Sequence, residues 1–301
     1  MNSVNTEHIP VLAKILVEQI KLPQDAVMVD ATVGQGGHSE MFGRTLGPEG
    51  VLIGLDIDKG SIQRAQDKLK GLKCRVILLC DNFARISEQV HKQGIEKVDF
   101  ILADLGVCSS QLVDMEAGLS FQTNMPLDMR MDKRLTTSAA DIVNYADEKN
   151  LADLIYKFGE DRASRRIARF IIEYRRNQPI TTTGQLAVIV CKALGQAAQK
   201  RRSKIHPATR TFQALRIAVN RELENLEKLL DSAVDLLKKS GRTAIISFQS
   251  LEDRLVKNNF RENEKRGLYR IITKKPIVPS REEIADNLRA RSAKLRIAER
   301  Q

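Results

Sequence analysis

The chain has 301 residues, 42% hydrophobic and 29% charged, a composition that excludes an intrinsically disordered protein. Forty-nine basic residues against thirty-eight acidic ones give a formal net charge of +11, which favours a polyanionic partner, nucleic acid first, over a merely basic surface. Because Trp is absent and aromatic residues are only 4%, we expect phosphate contacts to outweigh base stacking.

Targeting signals and cysteine usage point to one compartment. The N-terminus lacks the apolar segment of a signal peptide, and no uncharged apolar run approaches the length of a membrane span. The four cysteines form no Cys-x-x-Cys pair and are typical of reduced thiols. We therefore expect a cytoplasmic protein without a membrane partner.

Residues 27–39 predict a strand, a glycine turn and the start of a helix. The apolar run ends at Asp30, and glycines at 34, 36 and 37 let the backbone approach a ligand at the helix N-terminus. A second buried strand follows, and Asp56 at its carboxyl end is placed to accept hydrogen bonds from ribose hydroxyls. The pattern indicates a nucleoside-cofactor site, with a plain tight turn as the alternative.

The glycine spacing narrows the kind of cofactor. It is not the Gly-x-Gly-x-x-Gly fingerprint, which counts against the main rival enzyme class, a nicotinamide-dependent oxidoreductase. The chain has no Gly-x-x-x-x-Gly-Lys-Ser/Thr stretch, which counts against a nucleoside triphosphatase. An S-adenosylmethionine site fits better.

Two further strands, 75–79 and 98–102, extend the predicted sheet, and helical crossovers make it parallel. Phe83 follows the first of them and either stacks on an adenine or packs in the core. Asp104 follows the second, at the edge where the reacting atom lies. We take Asp104 as the catalytic candidate, with capping of its loop as the alternative.

Between about 112 and 205 the strand patterns give way to helical ones, which predicts an inserted helical domain at 113–205. Residues 1–112 and 206–301 then form the cofactor-binding domain. The helix at 161–176 and the basic loop at 199–204 favour contacts to phosphates, with a solvated face as the alternative. The arginines of that helix are Arg162, Arg165, Arg166, Arg169, Arg175 and Arg176.

After a fifth strand at 243–248, strands at 269–278 and 294–298 lack a clear crossover helix and predict an antiparallel pair. Such a closing pair separates a methyltransferase sheet from a dehydrogenase sheet. We therefore predict an α/β fold with a Rossmann-like, mostly parallel class I methyltransferase sheet, an antiparallel closing strand and an inserted α-helical domain.

With these motifs in place, the chain resembles the bacterial 16S ribosomal RNA cytosine-N4 methyltransferases nearly from end to end. The segments that carry the resemblance are 8–12 (HIPVL), 30–39 (DATVGQGGHS), 104–107 (DLGV), 126–132 (PLDMRMD), 206–214 (HPATRTFQA), 245–248 (IISF), 250–254 (SLEDR), 289–292 (RARS) and 295–300 (LRIAER). The resemblance implies S-adenosylmethionine-dependent methylation of the exocyclic N4 of a decoding-centre cytosine in 16S rRNA. It also implies that the inserted domain recognises the substrate.

The resemblance places cofactor contacts residue by residue and requires no metal. These contacts are Gly36, Gly37, His38, Asp56, Phe83, Asp104 and Gln111. Two positions depart from the family's usual residues: Gln249 replaces a His and Cys108 replaces a Ser, and Gln249 is given no role.

A rival of another class is a ribosome-assembly or RNA-binding protein whose cofactor site is vestigial. The intact acids and glycines of the site argue against decay. The sequence leaves open a monomer or a homodimer, and naked rRNA or an assembled small ribosomal subunit as the substrate.

Overall fold

A computed structural model describes residues 10–106, 118, 123–195 and 206–301 of the chain. The chain divides into two compact units, one made of Met1–Gly106 and Leu223–Gln301 and the other of Val107–Glu222. Within the described ranges, no helix has both the length and the apolar character that a membrane crossing requires.

The first unit begins with alternating helices and strands. A short 3₁₀ turn at Phe83–Arg85 lies between its third strand and the helix that follows. In chain order these elements are α1 (Ala13–Gln19), β1 (Val27–Asp30), α2 (Gly37–Gly43), β2 (Val51–Asp56), α3 (Lys59–Leu69), β3 (Arg75–Cys80), α4 (Ile86–Lys92) and β4 (Val98–Asp104).

The second unit is helical over its described residues. Its helices are α5 (Ala139–Tyr145), α6 (Glu148–Gly159), α7 (Ser164–Arg175), α8 (Thr183–Leu194) and α9 (Thr209–Asn220). Ser138 and Thr182 begin α5 and α8 with capping boxes, which satisfy backbone N–H groups that a helix start leaves free. The chain then returns to the first unit.

The returning segment completes the sheet. Its elements are α10 (Glu222–Leu236), β5 (Leu237–Ser247), α11 (Ser250–Lys265), β6 (Tyr269–Ile271), α12 (Arg281–Asp286) and β7 (Lys294–Arg300). Over the described residues the sheet has seven strands in the order β3-β2-β1-β4-β5-β7-β6. The strands β1 to β5 pair in parallel, whereas β7 runs antiparallel to both β5 and β6.

This topology confirms the predicted fold class. The strand order reverses between β1 and β4, so the crevice beyond their carboxyl ends is the place where a doubly wound sheet binds its ligand. Alternate residues of the central strands face opposite sides and are buried on both. Val29 and Ile53 pack in the core that includes α10 and α11, and Met28 and Phe100 in the core that includes α1 and α2.

The boundary between the units differs from the predicted one. The prediction ended the inserted domain at 205, but α9 lies in the helical unit, which extends to Glu222. The reason is packing: Phe212 and Leu215 of α9 lie in one apolar core with Leu151 and Ile155 of α6. The sequence pattern does not show which core α9 joins.

The strand β5 begins six residues before the predicted start. Its first half contains Ser240, which adopts φ of 65°, and its pairing with β4 shifts register between Val98 and Phe100. Such an irregularity lets a strand continue through a polar segment that breaks the alternating pattern. The strand β6 is in turn shorter than predicted and ends at Ile271.

Candidate active site

The glycine turn after β1 takes a backbone form that favours glycine. Gly34 and Gly36 have φ of 52° and 82°, in the left-handed region, and Gly36 is the N-cap of α2. A Cβ at Gly36 would lie 3.4 Å from the Cα of Ala65 in α3. The amide of Gly34 donates to Oδ2 of Asp56 at 3.0 Å, so the acid after β2 also fixes the turn.

Asp30 ties the end of β1 to the start of α2. Its Oδ1 accepts the Thr32 amide at 3.2 Å and its Oδ2 accepts the Ser39 hydroxyl at 2.7 Å. Burial raises the pKa of Asp30 to about 6, and these hydrogen bonds to the carboxylate oppose that rise. Asp30 therefore stabilises the conformation of the glycine turn through its hydrogen bonds to Thr32 and Ser39.

Asp104 ends β4 and presents a buried acceptor. Its backbone amide donates to Oγ1 of Thr32 at 2.7 Å, which fixes the strand end against the glycine turn. Its Oδ1 is buried and has no hydrogen-bond partner within the described part of the chain. Burial raises the pKa of Asp104 to about 6; the charges of Asp30 and Glu252 raise it further, and His38 lowers it.

The imidazole of His38 links the segment before α1 to Asp104. Its Nε2 lies 2.8 Å from the carbonyl oxygen of Val11, and its Nδ1 lies 3.7 Å from Oδ2 of Asp104. Because a carbonyl only accepts, Nε2 carries a hydrogen. Nδ1 thus faces the carboxylate, where it bears a proton in the imidazolium and a lone pair in the neutral ring.

The two other predicted contacts from β2 and β3 also lie at this edge. Both oxygens of Asp56 accept backbone amides, from Gly34 and from Asp58 at 2.8 Å, and burial raises its pKa to about 6. Each oxygen keeps a second lone pair for a ligand hydroxyl. Phe83 is half-buried in the turn after β3, with part of its ring against the core.

The end of β5 is fixed by an acid that the sequence reasoning did not select. Glu252 is buried in the first turn of α11, and its Oε2 accepts the amides of Phe248 and Gln249 at 3.0 and 3.1 Å. A Cβ at Gly106, whose φ is 128°, would lie 3.5 Å from the ring of Phe248. The chain leaving β4 therefore passes close to the end of β5.

The structure brings six of the predicted site residues to the carboxyl edge of the sheet. These are Gly36, Gly37, His38, Asp56, Phe83 and Asp104. Gln111 and Cys108 lie outside the described residues. The sequence reasoning missed the supporting contacts of Thr32, Ser39, Val11 and Glu252. Glu252 lies three residues after the N-cap Gln249, and this capping-box spacing was a usable signal for a capping acid.

The site fits the nucleoside cofactor that the sequence predicted. Gly36 adds no side chain to the turn at the N-terminus of α2. Asp56 ends β2, the position from which doubly wound folds bind a ribose. Oδ1 of Asp104, to which no described residue donates, is a buried acceptor that a ligand donor would satisfy. In the described ranges no group of three or more His, Cys, Asp or Glu side chains is arranged to hold a metal ion.

The fold and the site together define a class I S-adenosylmethionine-dependent methyltransferase. The features that define it are the glycine turn, the acid at the end of β2, the buried acid at the end of β4, and the antiparallel strand β7 in an otherwise parallel sheet. Residues 5–301 match the MraW methylase family, and the chain belongs to that family. This membership confirms S-adenosylmethionine as the cofactor predicted from the sequence.

Three relatives cover almost the whole chain, and each is named ribosomal RNA small subunit methyltransferase H. The protein of Cyanothece sp. is 47% identical over 97% of this chain and 94% of its own length. The protein of Syntrophobacter fumaroxidans is 45% identical over 98% of this chain and 97% of its own length. That of Clostridioides difficile is 43% identical over 97% and 98%.

Proposed function

We propose that this protein methylates the exocyclic N4 of a decoding-centre cytosine in the 16S rRNA of the small ribosomal subunit. The names of the relatives support a small-subunit ribosomal RNA as the substrate. The atom and the position in the RNA come from the sequence resemblance. The observation that carries the chemistry is the buried Oδ1 of Asp104 at the cofactor edge of the sheet, which has no hydrogen-bond partner among the described residues.

The residues at the glycine turn would hold the cofactor. Bound S-adenosylmethionine supplies an electrophilic methyl group on its sulfonium. Gly36 and Gly37 leave room for it, Asp56 accepts from its ribose, and Phe83 covers an aromatic face. His38 and Gln111 complete the proposed contacts. Asp104 borders both cofactor and substrate.

We assign to Asp104 the role of hydrogen-bond acceptor for the exocyclic N4 amine of the cytosine. The N4 lone pair of cytosine is delocalised into the ring, so N4 is a weak nucleophile. A carboxylate that accepts an N4 hydrogen localises the lone pair on nitrogen, and Asp104 reserves one oxygen for this. Because Asp104 is largely desolvated, this hydrogen bond acts in a medium of low dielectric constant, where it is stronger than in water.

His38 and Asp104 together provide a place for the proton that N4 loses on methylation. With Nε2 bound to the Val11 carbonyl, Nδ1 lies 3.7 Å from Oδ2 of Asp104, within ion-pair range when the ring is protonated. The proton thus moves from N4 to Oδ1 of Asp104, and the His38 ring, when it is protonated, would stabilise the carboxylate before that transfer. The helical unit, 107–222, is proposed to recognise the RNA.

The substitution Asp104→Asn tests this assignment. Asparagine keeps the size of the side chain but removes the negative charge and the proton acceptor, so kcat falls by about 10²- to 10⁴-fold, the usual contribution of general acid–base groups. RNA binding stays within about twofold, because it depends on phosphate contacts elsewhere. The measurements are single-turnover methylation, RNA binding by filter assay and cofactor binding by calorimetry.

The matched control is Asp58→Asn. Asp58 follows the same sheet edge but caps α3, where asparagine is an equally good cap, so turnover is unchanged. A loss of cofactor affinity in the Asp104 variant as large as its loss of turnover would make Asp104 a cofactor ligand only.

A further inference from the structure

The exposed face of α7 carries a cluster of arginines that the cofactor site does not use. The cluster, called here the arginine stripe, consists of Arg162 in the turn before the helix and three residues of its first half. All four side chains are exposed. The members are Arg162, Arg165, Arg166 and Arg169.

The arginine stripe has no acidic partner among the residues that the structure describes. Within the described residues none of its four guanidinium groups makes an ion pair, although Arg166 lies over the ring of Phe170 at 5.8 Å. The opposite face of α7 is buried through Ile167 and Ile171. The helix thus presents one packed face and one face whose positive charge is not compensated by any described residue.

A solvated face does not require this arrangement, as the neighbouring helix shows. The helix α6 has the same length of twelve residues and also exposes one side. It exposes Lys149 and Lys157 together with Glu148 and Asp153, so its charges alternate in sign. Mixed charges of this kind are what solubility and helix stability favour.

The position of the arginine stripe along α7 is unfavourable for the helix itself. Arg165 and Arg166 lie in the first turn, which contains no acidic residue, and the helix N-terminus repels cations. The buried Asp161, which accepts the Ala163 amide at 2.9 Å, offsets only part of this. Charges placed against the helix dipole indicate a role in binding rather than in folding.

We propose that the arginine stripe docks successive phosphates of a single-stranded segment of the RNA substrate. Arg165 and Arg169 are one turn apart, about 6 Å along the axis, so that a strand running along α7 meets one guanidinium after another. Arginine suits this task because its planar fork binds phosphate oxygens with two hydrogen bonds. The inference rests on the proposed function, since it names the surface that holds that same RNA.

The test compares two variants of the full-length protein that lose equal charge from the same unit. One is R165Q/R169Q, and the matched control is K149Q/K157Q on α6. Binding of a single-stranded RNA oligonucleotide containing the target cytosine is measured by fluorescence anisotropy across a salt series. Each lost phosphate contact lowers the slope of log K against log salt by about 0.7 for a single strand.

For R165Q/R169Q the slope falls by about 1.4 and binding weakens about 10- to 30-fold at 0.1 M salt. The KM for RNA rises in parallel, whereas kcat and cofactor affinity stay unchanged. The control variant keeps the wild-type slope. An equal change in the control would overturn the inference, because it would make net charge alone responsible.

Two further outcomes also overturn it. If the wild-type enzyme produces N4-methylcytidine but R165Q/R169Q has an unchanged salt slope and an unchanged KM, the arginine stripe does not bind the RNA. The proposed function is then unaffected. A defect seen only with assembled subunits and not with the oligonucleotide would assign the stripe to a protein of the subunit. Failure of the wild type itself to methylate RNA is the separate failure of the proposed function.

Discussion

At the scale of single residues, the proposed role of Asp104 as proton acceptor predicts how activity depends on pH. Burial raises its pKa to about 6, so the carboxyl is ionised at pH 7.5 and protonated at pH 5. A protonated carboxyl cannot accept the N4 proton. We therefore expect kcat/KM for the RNA, measured at saturating S-adenosylmethionine so that the ionisation of Asp56 in the empty cofactor site does not enter, to fall about tenfold per pH unit below about 6.

Thermal unfolding distinguishes this loss from denaturation. Asp30, Asp56 and Asp104 each have a folded-state pKa raised to about 6, above the value of roughly 3.9 in an unfolded chain. The folded state therefore takes up protons before the unfolded state does, and the contribution of these groups to stability grows as pH falls from 7 to 5. A melting temperature that dropped together with activity over this range would contradict the assignment.

The residues of the site differ in how readable they are from sequence. Asp56 and Asp104 were predicted because each ends an apolar strand, and parallel strands bring their carboxyl ends to one edge. The contact between His38 and Asp104 was not predictable. It requires the carbonyl of Val11, which reaches the imidazole only once the segment before α1 has packed on α2.

At the scale of elements, the short helix α2 connects the N-terminal segment with the cofactor turn. A Cβ at Gly37, its first residue, would lie 2.7 Å from Cγ of Pro10, and one at Gly43, its last, would lie 2.4 Å from Cδ1 of Leu72. Both alanine substitutions overfill packed space and cost about 1–3 kcal/mol of the free energy of unfolding. Only the first displaces the segment that holds His38.

We therefore expect Gly37→Ala to weaken cofactor binding about tenfold, equivalent to about 1.4 kcal/mol, and Gly43→Ala to leave it unchanged. Calorimetric titration with S-adenosylmethionine and urea unfolding measure the two effects separately. Equal dissociation constants for the two variants would mean that the N-terminal segment does not support the site.

Element boundaries show where sequence reasoning ends. The strand β1 has the predicted limits, Val27 and Asp30, because a single apolar run defines it. The strand β5 extends beyond its predicted start because a register shift carries it through Lys238 and Lys239, whose polarity gives no strand signal. The membership of α9 in the helical unit was not predicted, because it depends on which core its apolar face joins.

At the scale of the whole molecule, the fold class was predictable because the order of elements along the chain is the order of a doubly wound sheet closed by an antiparallel strand. The division into units was predictable only in outline. The net charge of +11 indicated a polyanion, but only the structure shows that arginines on one face of α7 are exposed and lack ion pairs within the described residues.

The central claim about this protein is the identity of the atom that it methylates. The most direct measurement is the transfer of tritium from methyl-labelled S-adenosylmethionine to small ribosomal subunits that lack the modification, followed by nucleoside analysis of the RNA. The account predicts label in N4-methylated cytidine. Measurable cofactor binding with no transfer to subunits or to free 16S rRNA, or label in any other nucleoside, would contradict it.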